Sequence, residues 1–161
     1  MSDPVRTRWA WAVATFFGVG NLSPGSGTWA SVATVLLWAA VARWLPALLA
    51  WPDALAIAVA ITLIGTRAST IVARESGIKD PSFVVIDEVA GQLFALIGNP
   101  VSWKSLVLGL ILFRAFDILK PPPIRQIERL PEGSGIMLDD VAAGLLALAL
   151  MHGARWLHWI G

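Results

Sequence analysis

Cysteine is absent from the 161-residue chain, so neither a disulfide framework nor a thiolate metal site is open to it. Tyrosine is absent too. The two histidines, His152 and His158, fall in a Trp-rich tail, where interface anchoring is the expected role rather than metal ligation. Charge is scarce: 14% of residues are charged, against about 25% in a typical soluble domain. A net charge of +1, with no basic run interleaved with aromatics, gives no argument for nucleic acid. No small-residue cleavage site follows the first apolar run, which argues against a removable signal peptide. No repeat, linker or low-complexity segment divides the chain. What fills it is apolar: 57% hydrophobic residues, a mean hydropathy of +0.70 and nine Trp, a residue favoured where membrane meets water. The expectation is a single integral membrane domain over residues 1–161.

The apolar run over residues 9–20 is too short for a bilayer that takes roughly 20 residues, and the turn-rich residues 21–27 end it. Thr28 is placed to cap a helix reaching about Trp44, and Asp53 to cap the next, which runs to Gly77. Further helices are expected over residues 83–97, 102–119 and from near Asp139 onward. A short amphipathic piece at 124–130 and a polar loop at 131–135 lie between the last two. Few segments alternate as strands do, so the fold class is all-α: a compact membrane helical bundle of about six helices. Alternating their directions gathers Arg6, Arg8, Arg67, Arg74, Lys79, Arg114, Lys120, Arg125 and Arg129 at one side, nine of the twelve basic residues. The positive-inside bias makes that side cytoplasmic. The uninterrupted apolar spans measure roughly 18–24 Å, short of the ~30 Å hydrocarbon core, so charged helix ends must snorkel or the helices must bury one another.

The polar clusters all fall at that same end. Asp87-Glu88 are adjacent carboxylates, and two such charges ~4 Å apart repel by roughly 4 kcal/mol at an effective dielectric of 20, a penalty that a divalent cation removes. Oxygen ligands without Cys or a nearby His favour Mg²⁺ or Mn²⁺ over Zn²⁺. Asp139-Asp140 form a second pair, and Arg114-x-x-Asp117-x-x-Lys120 sets three charged groups on neighbouring helical positions. A helix dipole explains an acidic first turn, and a local ion ladder explains the triad. Neither explains both pairs and Asp117 gathering at one end of one bundle. Gly91 and Gly144, each four residues beyond an acidic position, permit close helix approach behind the carboxylates. The Gly/Ser/Pro loop with Asn21, Ser26, Gly27 and Thr28 opens a helix, whose N-terminal N–H groups suit phosphate. It lacks a P-loop lysine, so nucleotide is not implied. Pro121-Pro-Pro123 holds Arg125 at a fixed distance from Lys120.

Four ordered motifs now carry a family likeness: Ser26-Gly-Thr-Trp-Ala-Ser31, Ile86-Asp-Glu-Val-Ala-Gly91, Phe113-Arg-Ala-Phe-Asp-Ile-Leu-Lys-Pro-Pro-Pro-Ile-Arg125 and Gly135-Ile-Met-Leu-Asp-Asp-Val-Ala-Ala-Gly144. Together they resemble the bacterial phosphatidylglycerophosphatase A family over nearly the whole chain. Ser26 stands where Pro is expected in the loop, and Pro122 where an aromatic is frequent. The resemblance implies a Mg²⁺-dependent, all-α inner-membrane phosphatase that converts phosphatidylglycerophosphate to phosphatidylglycerol and inorganic phosphate. It also implies that Asp87, Glu88, Asp117, Lys120, Asp139 and Asp140 belong to the active site. On this reading the five carboxylates bind one or two Mg²⁺, with Asp117 alternatively accepting a proton, while Asn21, Ser26, Gly27, Thr28, Arg114, Lys120 and Arg125 hold the phosphate. The partners expected are that substrate and membrane lipid, with no protein partner. An ion carrier, a CDP-alcohol phosphotransferase and a scaffold with a structural cation site are the other classes; the long Asp-Gly…Ala-Arg pattern of the second is missing.

Overall fold

A computed structural model describes residues 6–160, and every regular element in it is helical. The seven α-helices are α1 (Arg8–Ala14), α2 (Ser26–Trp44), α3 (Trp51–Ser76), α4 (Ile86–Leu96), α5 (Trp103–Leu119), α6 (Ile124–Ile127) and α7 (Glu132–Trp156). Short 3₁₀ turns at Val19–Asn21 and Pro46–Leu49 lead into α2 and α3. The all-α expectation holds, with α1 and α6 as small extra pieces around five longer helices.

Several boundaries differ from expectation for local reasons. Gly25, in the left-handed region at φ 76°, precedes α2, so Thr28 lies inside the first turn rather than capping it. Asp53 likewise sits in the first turn of α3, behind Trp51 and Pro52, where the helix dipole favours it. Residues 83–85 are not helical. The Val84 N–H closes a turn onto the Pro81 carbonyl, and the Val85 N–H donates to the Ala14 carbonyl at 2.8 Å, so α4 begins only at Ile86. The largest change is in α7, which starts at Glu132 and absorbs the expected loop at 131–135. Asp139 and Asp140 therefore lie two turns inside this helix and are not terminal caps.

The centre of the bundle is the α4–α7 contact, built on glycine. A β-carbon at Gly144 would stand 2.2 Å from the Gly91 carbonyl oxygen, and one at Gly91 would stand 2.5 Å from that of Asp140. Gly133 meets the Thr66 carbonyl of α3 equally closely. Small residues let backbones approach where lipid supplies no hydrophobic drive between helices, and packing carries the association instead.

α2, α4 and α7 begin, and α3 and α5 end, at one pole of the molecule, as the contacts Gly27–Glu88, Thr70–Gly133 and Lys120–Asp139 require. The other pole carries exposed Trp44, Trp51, Trp103, Trp156 and Trp159. Between the poles the flanks expose Leu36, Leu63, Ile111 and Leu150. Two helices, α3 with 26 residues and α7 with 25, are long and apolar enough to cross a membrane. At about 1.5 Å per residue they span roughly 37–39 Å, whereas the 11-residue α4 reaches only ~16 Å. Apolar flanks, two such helices and tryptophans at a helix-end pole are consistent with a membrane protein.

Candidate active site

The polar pole contains a cavity of about 1000 Å³. Its walls come from the loop before α2, the turn before α4, the C-terminal end of α5, α6 and the first turns of α7. Asn21, Ser26, Gly27, Asp87, Glu88, Arg114, Asp117, Lys120, Arg125, Asp139 and Asp140 all line it. Thr28 does not, being exposed on the outer side of α2.

The two acidic pairs, distant in the chain, meet here. Ligand oxygens of Asp87, Glu88 and Asp140 lie within 4.8 Å of one another. The glycine contact described above makes this possible, because it lets the α4 and α7 backbones touch directly beneath these side chains. Asp87 Oδ1, Glu88 Oε2 and Asp140 Oδ2 are buried and have no hydrogen-bond donor among the described residues. Leaving such oxygens unpaired is costly, and more so when they are charged. Burial, reinforced by the neighbouring Glu88 and Asp140, pushes the Asp87 carboxyl well above the ordinary value. Glu88 is also raised by burial, despite the nearby Arg114 charge. Three carboxylates at this spacing repel by roughly 3 kcal/mol per ionised pair at an effective dielectric of 20. A hard divalent cation fits the donor set: oxygen ligands only, unpaired, on rigid helices, with neither sulfur nor imidazole among them.

Lys120, Asp139, Arg114 and Asp117 are paired. Lys120, at the left-handed end of α5, donates to Asp139 Oδ2 at 2.7 Å and to Glu128 at 2.8 Å. Burial opposes the Lys120 charge, but the bonds to Asp139 and Glu128 outweigh it and hold its pKa above the ordinary lysine value. Asp139 Oδ1 accepts from the Asp140 N–H at 3.0 Å, so both oxygens of Asp139 are occupied. Arg114 bonds Asp117 at 2.5 Å and stands 3.8 Å from Glu88. Asp139 and Asp117 are thus held by cations at hydrogen-bond distance, while Asp87, Glu88 and Asp140 each keep an unpaired buried oxygen.

At the α2 end, a β-carbon on Gly27 would lie 2.0 Å from Glu88 Oε1, so a larger residue there would displace this carboxylate from the helix start. The Ser26 hydroxyl donates to the Ser82 carbonyl at 2.7 Å, latching the α2 loop to the turn before α4. Five charged groups in the cavity were not expected there: Glu128, which shares Lys120; Glu132, which pairs with Arg74; and Lys79, Asp80 and Arg129, exposed at its rim. In the sequence, Lys79 and Arg129 signal topology only. Glu128 stands in no helical register with Lys120, so spacing gave no sign of the pair.

The family described as phosphatidylglycerophosphatase A matches residues 12–155 of the chain. A Bacteroides thetaiotaomicron protein named "Putative phosphatidylinositol-3-phosphatase" is 36% identical over 148 residues, covering 89% of this chain and 92% of its own. The Haemophilus influenzae protein named phosphatidylglycerophosphatase A is 34% identical, covering 89% and 87% respectively. Its Escherichia coli namesake is 32% identical, covering 89% and 83%. No solved structure matches the chain.

Proposed function

Because the chain belongs to the phosphatidylglycerophosphatase A family and is a lipid phosphatase, we propose that its substrate is phosphatidylglycerophosphate. The products are phosphatidylglycerol and inorganic phosphate. The reaction runs with Mg²⁺ at the cytoplasmic face of a bacterial inner membrane. The observation that carries this reading is the trio of unpaired, buried oxygens on Asp87, Glu88 and Asp140 facing a cavity rimmed by cations.

Asp87, Glu88 and Asp140 would hold the divalent cation, which would supply positive charge to a phosphoryl oxygen and lower the pKa of a nearby water. The chain's own residues do the rest. Lys120 neutralises a phosphoryl oxygen from the C-terminal end of α5, and Asp139 fixes its direction. Arg125 and Arg129 meet the substrate from the rim, and the N–H groups at the start of α2 add donors. Asp117, oriented by Arg114, accepts the proton of the attacking water. Attack forms one P–O bond and breaks the ester P–O bond; the glycerol oxygen takes its proton from solvent, to which Asp117 releases the one it accepted. Charge stabilisation and positioning are what phosphoryl transfer chiefly demands.

Five basic residues, Lys79, Arg114, Lys120, Arg125 and Arg129, line the cavity, which supports a cytoplasmic opening under the positive-inside bias. The headgroup would then reach the cavity while the lipid stays in its leaflet. The test is phosphate release by the purified protein from phosphatidylglycerophosphate and from phosphatidylinositol 3-phosphate, with Mg²⁺ or EDTA. We expect preference for the first, loss in EDTA, and falls of at least ~100-fold in Asp87→Asn and Asp140→Asn. Preference for the inositol lipid, or turnover indifferent to EDTA, would overturn the reading.

A further inference from the structure

The flank of the bundle holds a second cavity, a groove of about 330 Å³ between α2, α3 and α4. We propose that it is a subsite for one acyl chain of the substrate, so that the enzyme grips the lipid at its tail as well as its phosphate. This rests on the lipid-phosphatase reading.

The volume lies at the small end of ligand pockets, which run about 300–1,000 Å³. Its walls are almost wholly apolar, and their one hydroxyl, on Thr34, is already donated to the Ala30 carbonyl at 2.8 Å. Nothing there selects a polar ligand. The groove opens toward Leu37, Ile57 and Ile64, which are exposed on the lipid-facing flank.

Proximity to the acidic cavity decides the occupant. At the start of α4, Ile86 lines the groove and the next residue, Asp87, lines the cavity. Val89 and Leu93 follow Ile86 on one face of α4 and carry the groove away from the polar pole. A second bridge is the bend after α1, where Phe16 and Phe17 line the groove while Gly20 and Asn21 line the cavity. Both phenylalanines are left-handed, at φ 47° and 53°, a region that a β-carbon disfavours. The bend is over-determined. The Phe16 N–H donates to Val13 and the Phe17 N–H to Ala12, while Thr15 accepts from Gly18 and Gly20. It holds the Phe17 ring outward, 81% exposed. Strained backbone that positions aromatic groups beside a cavity is typical of ligand clamps. A ligand with a phosphate in one chamber and an apolar tail in the other spans both, and a phosphomonoester lipid has that form.

Leu37→Trp and Ile64→Trp fill the groove from exposed positions, and Ile111→Trp on α5 is the control. The measurement is kcat and KM on diacyl phosphatidylglycerophosphate and on its soluble deacylated counterpart. We expect the groove variants to raise KM at least ~10-fold for the diacyl lipid only, with kcat and the control unchanged. Equal effects on both substrates, or none, overturn the subsite. A second readout needs no turnover: phosphatidylglycerophosphate with a diazirine in one acyl chain is photo-crosslinked and mapped by peptide mass spectrometry. Labelling of groove residues well above that by a phosphatidylcholine with the same tail supports the proposal. Equal labelling by the two lipids marks bulk contact and overturns it, as does a groove covered by a second copy of the chain. A protein that hydrolyses neither substrate refutes the phosphatase reading, and the crosslinking alone then decides the groove.

Discussion

Lys120 and Asp139 form the ion pair on which the proposed phosphate contact turns. The Asp139 side chain is only 5% exposed and that of Lys120 23%, so the pair is neither fully buried nor at the surface. Breaking a buried pair costs about 3–5 kcal/mol and a surface one under ~1, and this one belongs between them. Lys120→Met should therefore destabilise the protein by about 2 kcal/mol in detergent, and adding Asp139→Asn should restore most of it. A denaturation midpoint unchanged in Lys120→Met would remove the pair from the account. Asp87 gives a pH test of opposite character. Its folded-state value is raised by burial and by Glu88, Asp140 and Asp139, so between the ordinary value of 3.8 and the raised one the native state holds the extra proton. Stability without metal is then fully present below that ordinary value and lost as pH rises through the raised one. Melting in EDTA should fall from pH 4 toward neutrality, and saturating Mg²⁺ should flatten the decline. A melting temperature that rises over this range in EDTA would contradict the assignment. At this scale the acidic residues were legible in the sequence, because adjacent carboxylates in so apolar a chain demand a partner. Their pairing was not: no spacing rule shows that Asp139 faces Lys120 and leaves Asp140 free.

Helices α4 and α7 meet through backbone, not side chains, at Gly91 and Gly144. Gly144→Ala would drive a methyl group to 2.2 Å from a carbonyl oxygen that cannot move aside. A loss of about 1–3 kcal/mol is expected, the range for overpacked cores, together with a loss of activity as Asp140 is pushed from Asp87. Gly153→Ala, where a β-carbon meets nothing within 4 Å, is the control in the same helix. If Gly144→Ala melts with wild type, the helices do not touch as described. The close approach was readable from glycines placed one turn after the acids. The start of α7 was not, since Pro131-Glu-Gly-Ser-Gly135 has the composition of a loop. There Gly133 and Gly135 serve contact with the Thr66 and Leu130 carbonyls, and glycine used for packing looks in sequence like glycine used for turning. The end of α1 within the apolar run had no glycine to mark it, since the left-handed position that usually takes glycine is filled by Phe16, and Gly18 comes two residues later.

The whole molecule is a bundle with one polar and one tryptophan-rich pole. Its class and polarity were legible from hydropathy, run length and the distribution of basic residues. The lateral groove was not, because it depends on how three helices diverge. Cysteines introduced at Lys79 and Arg129 should be labelled by impermeant reagents from the cytoplasmic side, and one at Trp156 from the opposite side. Labelling of all three from one side would show that the poles do not face opposite compartments. The central claim is that Asp87, Glu88 and Asp140 hold a divalent cation, and its most direct test is electron paramagnetic resonance titration of the purified protein with Mn²⁺, with Mg²⁺ as competitor. The account predicts saturable, Mg²⁺-displaceable binding that is lost in Asp87→Asn and Asp140→Asn and kept in Arg125→Ala. Undiminished Mn²⁺ binding by Asp140→Asn would contradict it.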